Sequence, residues 1–392
     1  MSRDRQHRRT HTRTSGTMSL GCWGRCHRGM KERSWTLKRA TVTLGAGMLA
    51  FYVLSVSYTR LTRDGRCEIY RHSSYHGDLM SISTVSEHVN DVDSLGSDLN
   101  DAKLEAFVRS GQVLNEYQFV VNSEVCSSSG VPQSVYVVAI VPSKPSHFQE
   151  RQAIRETWGS QFNKNEKLKL IFLSGLAEEI TNMQLSSERE TFFDVVQANF
   201  IDSYKNLTRK TNAMLQWSKQ FCSQARFVMK IDDDVFLDTD ELLQTLLHLE
   251  VEPRLIIGYI DNVERPNRDP SSKWYLSQEE YPFKQFPRFT HGPSYVISRD
   301  LVADLYEISR HAPRIHLEDV YVTGLCAHVA RATHVGACGF GIASRHASMW
   351  LLGAAVTGHQ YTPEVMSQSW TRVQFWRAWR APLRCLGYII GY

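Results

Sequence analysis

Three aspartates, Asp232, Asp233 and Asp234, stand side by side immediately behind the apolar run 227–231. Like charges at that spacing repel, so the cluster calls for a positive partner. A hard divalent cation, which takes oxygen ligands and offsets the repulsion, suits three adjacent carboxylates best. A purely structural acidic turn is the alternative, because the pattern D-x-D is by itself weak. A second carboxylate pair, Glu318-Asp319, opens an apolar stretch; such a pair can do acid–base work, or can simply be favoured by the dipole of a helix's first turn. Arg151 and Arg155 lie four residues apart, which puts two guanidinium groups on one helix face, able to grip a single anion or to sit solvated there.

The elements that must carry these residues alternate between strand and helix. The runs 135–141, 168–174, 226–231 and 254–260 are β-branched or apolar almost throughout, as expected of strands buried on both faces. Between them, Ser146 and Gln149 suggest a capping box ahead of a helix containing Arg151 and Arg155, and Asp238 and Glu241 suggest another ahead of 241–250. Leu207, Thr211, Met214, Ser218 and Phe221 fall on one face of a third helix. This alternation predicts an α/β fold, a mostly parallel sheet flanked by helices, and such sheets bind ligands beyond the carboxyl ends of their strands. The acidic cluster lies at one such end.

Composition bounds the rest of the chain. It has 392 residues and 42% apolar content, enough for a sizeable core. The net charge of +4 hides an asymmetry: residues 1–39 carry eleven Lys or Arg against Asp4 and Glu32, a surplus of nine that leaves the remainder at −5. A basic head can bind nucleic acid or anionic lipid; its place here favours the membrane. Directly after Lys38-Arg39 come nineteen uncharged residues, Ala40 to Tyr58, about 28 Å of helix and long enough to span a bilayer. The excess of positive charge before that span puts the N-terminus in the cytosol and the rest in a lumen.

Asn206-Leu207-Thr208 is a glycosylation sequon, meaningful only in the secretory pathway. Cys67, Cys126, Cys222, Cys326, Cys338 and Cys385 fall on the lumenal side and could pair in fifteen ways. Cys22 and Cys26 fall on the cytosolic side, which suits free or palmitoylated thiols. From 71 to 130 the chain is polar, with twelve serines, and cannot bury enough surface to fold alone. The expected organisation is therefore a cytosolic tail over 1–39, a signal anchor over 40–58, a stem over 59–114 and a catalytic domain over 115–392. The membrane segment or stem could carry a homodimer, though no feature forces one.

Five motifs now stand in order: RQAIRETWG at 151–159, DSYKNLTRKT at 202–211, KIDDDVF at 230–236, GPSYVIS at 292–298 and EDVYVTG at 318–324. In order and spacing they resemble the β-1,3-galactosyltransferases and β-1,3-N-acetylglucosaminyltransferases of glycosyltransferase family 31. The similarity resumes at GHQYTPEVM, 358–366. It implies a type II Golgi membrane enzyme with a GT-A fold that uses manganese (Mn2+) and a UDP-sugar. Transfer would go with inversion to the 3-hydroxyl of a glycan acceptor on glycoprotein or glycolipid, and nucleic acid has no part in it.

By that resemblance Asp234 is a direct metal ligand. Asp232 contacts the ribose or the metal's water shell, Asp233 is mainly a neighbour, and His359 is a further metal ligand, with His334 and His346 as substitutes. Asp319 is the base that takes the acceptor's proton, with Glu318 as the fallback. Arg151, Arg155, Trp158 and Lys210 border the donor. Trp274 and Tyr275 stand in an aromatic, polar loop (271–283) suited to a sugar ring, or serve as core anchors. Many relatives carry a cysteine at the position of His291, so the family's disulfide pattern does not transfer whole. UDP-galactose is the preferred donor, with UDP-N-acetylglucosamine as the alternative. A catalytically silent carbohydrate-binding relative is the reading from another class; a phosphodiesterase would need further ligands at metal spacing, which the sequence lacks.

Overall fold

The residues of strand β2, Val137–Pro142, are apolar at every position and buried at every position. In the computed structural model, which describes residues 100–128, 131–249, 252–260, 264–337, 339–341 and 355–375, this strand lies near the middle of an eight-stranded sheet. The others are β1 Phe119–Val121, β3 Leu168–Leu176, β4 Val195–Ile201, β5 Phe227–Ile231, β6 Leu255–Gly258, β7 Ser294–Ser298 and β8 Thr333–Gly336, in the order β1-β4-β3-β2-β5-β7-β6-β8. The basic tail, the 40–58 span and the stem up to residue 99 lie outside the described residues. Among the described residues no helix is long and apolar enough to cross a membrane.

Alternate side chains of the central strands serve two cores. Val138 and Ile140 of β2, Ile171 and Leu173 of β3 and Val228 of β5 face one side with helices α4 (Leu207–Phe221) and α6 (Arg299–His311). Val137, Ala139, Val141, Phe227, Met229 and Ile231 face the other with α2 (Phe148–Glu156) and α5 (Thr239–His248). Helix α3, Glu179–Phe192, joins β3 to β4. Burial on both faces is why these strands read as unbroken apolar runs rather than alternating ones.

The sheet is mostly parallel, as expected, with two strands, β1 and β7, reversed in it. β4-β3-β2-β5 are parallel to their neighbours, but β7 runs antiparallel between β5 and β6, and β1 antiparallel to β4. The reversal has a consequence for the site. It sets the start of β7 beside the end of β5, with Ser294 opposite Ile231, so that Asp232 N–H donates to Pro293 C=O at 2.9 Å. A parallel strand would have brought its far end there instead.

Other expectations change in detail. Helix α1, Asp101–Val108, is capped by Asn100 and buries Leu104 and Val108 in the first core, so the packed unit reaches upstream of the 115 boundary. Ser146 does not cap α2; the N-cap is His147, whose ring is engaged elsewhere. Asp238 does cap α5, accepting from Asp240 and Glu241 N–H, but its own N–H goes to Val356 C=O rather than to Glu241. On α4, Thr211, Met214 and Ser218 are buried as expected, whereas Phe221 is 41% exposed. Burial there extends from Lys210 to Ser218 because α6 also packs against the helix. Cys126 and Cys222 form a disulfide across 96 residues, tying the segment after β1 to the end of α4. Cys326 is a buried free thiol. Cys67, Cys338 and Cys385 lie outside the described residues.

Candidate active site

The backbone of the acidic turn is fixed from three sides, independently of its own carboxylates. Val235 N–H closes onto Asp232 C=O at 3.1 Å, and Tyr361 N–H donates to Asp234 C=O at 2.8 Å. Trp158, fully buried, donates its indole Nε1 to Val235 C=O at 3.0 Å. A short antiparallel ladder pairs Phe236 with Gly358, which brings His359 to the turn.

So held, the three carboxylates point to three different partners. Asp233 accepts from Ser143 Oγ and meets His147 Nδ1, both at 2.8 Å. Burial raises its pKa, but those bonds and the charges of His147 and Lys210 outweigh it and leave the carboxyl below its ordinary value. Asp234 lies 3.1 Å from His359 Nε2, and Asp232 Oδ1 lies 2.6 Å from Lys230 Nζ. Burial, with the charges of Asp234 and Asp233, pushes Asp232 up to about 6 against the pull of Lys230.

The ligand atoms of Asp232, Asp234 and His359 lie within 4.8 Å of one another. Two carboxylate oxygens and one imidazole nitrogen at that spacing form a donor set fitted to a divalent cation of intermediate hardness. Burial disfavours a charged His359 ring, yet Asp234's bond and the charges around it raise its pKa, so a cation here would take the place of a proton.

Beyond β7 stands the second carboxylate pair. Asp319 precedes a π-helical turn, Val320–Cys326, a widened helix of the kind frequent at functional sites. Its Oδ1 accepts from Val320 N–H at 2.9 Å and its Oδ2 from Gly292 N–H at 3.0 Å. Gly292 leaves room for this approach: a Cβ there would lie 3.1 Å from Asp319 Oδ2 and 3.3 Å from Glu318 Oε1, so the carboxylates would have to give by a few tenths of an ångström. Burial first, and then the charge of Glu318, push Asp319 up to about 6. Glu318 itself is buried and committed: Oε2 accepts from Thr211 Oγ1 at 2.9 Å and Tyr295 OH at 3.1 Å, and Oε1 pairs with Lys230 at 3.0 Å. Of the two, Asp319 keeps access to solvent.

The two arginines do address one anion, and it belongs to the protein. Arg151, fully buried, bonds both oxygens of Glu188, and Arg155 reaches Glu188 at 2.7 Å and forks onto Asp194. Arg151 also donates to Lys144 and Pro145 C=O and to Ser143 Oγ. Its office is therefore to hold the loop that delivers Ser143 and His147 to Asp233. Lys210, buried, ties Asp202 (2.7 Å) to Ser143 C=O (3.0 Å), joining the ends of β4 and β2. Neither Arg151, Arg155 nor Lys210 has an open face toward a ligand in this geometry.

Asn206 Nδ2 donates to Ile201 C=O at 2.8 Å, and Thr208 of the sequon is fully buried. His334 bonds Thr323 C=O and burial lowers it to about 4, away from the acidic turn; His346 lies outside the described residues. The 271–283 loop hangs from Arg268, whose guanidinium donates to the carbonyls of Leu276, Ser277, Tyr281 and Phe283. Trp274 is 52% exposed on it, beneath Lys273.

Sequence reasoning missed Lys230, Ser143, His147, Thr211, Tyr295 and Glu188. For Lys230 a signal existed: it is the single charge in an otherwise apolar strand and shares a strand face with Asp232, two residues on. For the others the partners named above lie between 23 and 107 residues away in the chain, and nothing local marks them.

Compared with known proteins, residues 149–337 match the family described as Galactosyltransferase. Beta-1,3-galactosyltransferase 1 of Homo sapiens, like that of Mus musculus, is 36% identical over 260 residues, 65% of this chain and 78% of the relative. Beta-1,3-galactosyltransferase 5 of Homo sapiens is 39% identical over 193 residues, 49% of this chain and 62% of the relative. A solved mannosyltransferase from Pyrobaculum calidifontis, in complex with GDP-Man and Mn2+, aligns with 76% of this chain and 85% of its own at 12% identity and a TM-score of 0.34, too remote to bear on the chemistry. A mixed α/β sheet with a carboxylate–imidazole cluster at a strand end and these relatives define a glycosyltransferase. The chain belongs to the galactosyltransferase family.

Proposed function

We propose that the chain is an inverting, metal-dependent β-1,3-galactosyltransferase, moving galactose from UDP-galactose to a 3-hydroxyl of a glycan on protein or lipid. The observation that carries this reading is the facing pair of devices: Asp232, Asp234 and His359 gathered within 4.8 Å, and Asp319 across β7 from them, raised to about 6 by burial and a neighbouring charge. A divalent cation, manganese by the family's resemblance, supplies Lewis-acid neutralisation of the leaving diphosphate.

The chain's own groups do the rest. Asp232, Asp234 and His359 hold the cation, while Asp233, tied to Ser143 and His147, fixes the turn that aims them. Asp319 accepts the proton of the attacking hydroxyl; a carboxylate raised toward neutrality is the stronger base, and general-base assistance of this kind contributes about 10²- to 10⁴-fold. The N–H groups of Gly292 and Val320 orient both of its oxygens. The exposed Trp274 offers a flat apolar face beside the segment leading to Asp319, to which its loop is linked by His316 and Lys273 C=O at 3.3 Å.

The proposed setting is the Golgi membrane, single-pass and type II, with the catalytic unit in the lumen and Asn206 glycosylated. The Cys126–Cys222 disulfide supports an oxidising compartment. A homodimer through the anchor or stem fits the same arrangement. The test is transfer by the purified chain with Mn2+ and UDP-galactose, UDP-N-acetylglucosamine or UDP-glucose. Galactose incorporation is expected; preference for N-acetylglucosamine would move the donor, and no transfer or donor hydrolysis with any of them would remove the enzyme reading.

A further inference from the structure

Lys230 is the charge that the sequence places inside an apolar strand, and in the fold its side chain is only 4% exposed. An ammonium has three protons and no acceptor. Here it donates to the carbonyl of Gly292 and forms ion pairs with Asp232 Oδ1 at 2.6 Å and Glu318 Oε1 at 3.0 Å. The Tyr295 ring closes the remaining side, with the nitrogen 5.9 Å from its centroid.

These three partners belong to the two halves of the site. Asp232 is one of the three residues gathered for a cation. Glu318 is covalently next to Asp319, and Gly292 donates its N–H to Asp319 Oδ2 at 3.0 Å. One buried nitrogen thus touches the cation side directly and the base side twice, through the residue before Asp319 and through the carbonyl of Gly292, the residue whose N–H orients that carboxylate. The partners come from three separate elements: the end of β5, the segment leading into β7 and the residue pair before the π-helical turn.

Resting on the function proposed above, we propose that Lys230 is the positioning residue that sets the distance between the cation-holding carboxylate and the catalytic base. Buried among these partners and only 4% exposed, it acts on the reacting groups through them rather than by touching donor or acceptor. Its removal leaves Asp232 and Glu318, two carboxylates formerly bridged by it, without a shared cation. They would separate, and Gly292 would lose the anchor of its carbonyl. Reacting groups displaced by about 1 Å lose on the order of 100-fold in rate.

The test compares the full-length wild-type chain, purified in detergent, with Lys230→Met, with Glu318→Gln and with Lys230→Met/Glu318→Gln, reading kcat, acceptor KM and thermal unfolding. For Lys230→Met, kcat is expected to fall about 100-fold while acceptor KM stays within about threefold, because the lysine touches no substrate. The double variant, which also removes one of the two opposed charges, is expected to recover about tenfold of that loss, a non-additivity that independent sites would not show. Should Lys230→Met fail to fold, the double variant alone decides: folded and active supports the inference, unfolded or inactive overturns it. Equal kcat in Lys230→Met and wild type, a loss confined to KM, or strictly additive effects also overturn it. A wild-type chain that transfers no sugar removes the proposed function, and the inference with it, which sets that failure apart from an active wild type matched by the variant.

Discussion

Asp319 gains its basicity at the expense of the fold. Its pKa is pushed to about 6 from an ordinary 3.8, chiefly by burial and then by Glu318. The folded chain therefore binds this proton more tightly than the unfolded one. The ionised base destabilises the fold as pH rises toward and through 6, and the penalty is absent below about pH 4. Two outcomes follow for Asp319→Asn. Transfer should fall by about 10²- to 10⁴-fold with UDP binding retained, and melting temperature relative to wild type should improve on going from pH 5 to pH 7.5. For the wild type, kcat/KM should decline with acidity, tenfold for each pH unit below about 6, as the base takes up its proton. A profile flat down to pH 4.5 would assign the proton transfer elsewhere. At this scale the sequence was informative about identities and silent about partners. Asp232, Asp234, His359 and Asp319 could be named from motifs, but nothing near Asp319 announces that Gly292 will orient it or that Glu318 will be consumed by Thr211, Tyr295 and Lys230.

Elements decide how those residues meet. The strands at 137–142, 168–176, 227–231 and 255–258 were legible because double burial writes itself as an apolar run. The direction of β7 was not, since orientation depends on where a distant strand finds a partner and leaves no local pattern. Yet that reversal delivers Pro293 and Gly292 to the end of β5. Helix α2 teaches the same lesson. Arg151 and Arg155 were correctly seen as converging on an anion, but Glu188 and Asp194, brought by α3 and the turn after it, are the anions. Because Glu188 is buried between two guanidiniums, Arg151→Leu should destabilise the fold by about 3–5 kcal/mol, the usual penalty for stranding one member of a buried pair. Denaturant unfolding would measure it. An unchanged midpoint, with only UDP binding impaired, would instead make Arg151 a donor ligand.

On the scale of the whole molecule, the chain carries a glycosyltransferase unit, and the anchor proposed upstream of it rests on the charge and length of the sequence alone. The unit's own extent was read less well. Residues 101–108 looked too polar to fold, but α1 needs to bury only Leu104 and Val108 to dock, and its polar side pairs Glu105 with Arg331 and Asp101 with His328. Two buried apolar residues four apart, Leu104 and Val108, with Phe107 packed edge-on against Tyr281 and Phe283, make up this short helix's core contribution, a pattern easily lost in a polar stretch. The function proposed here turns on the cluster of Asp232, Asp234 and His359 at the end of β5 as a cation site. Calorimetry of UDP binding tests it most directly, with Mn2+ present, with chelator present, and with Asp234→Asn. The account expects measurable binding with Mn2+ that chelator abolishes and the variant weakens by about 10- to 100-fold. UDP bound equally well in chelator and by Asp234→Asn would contradict it.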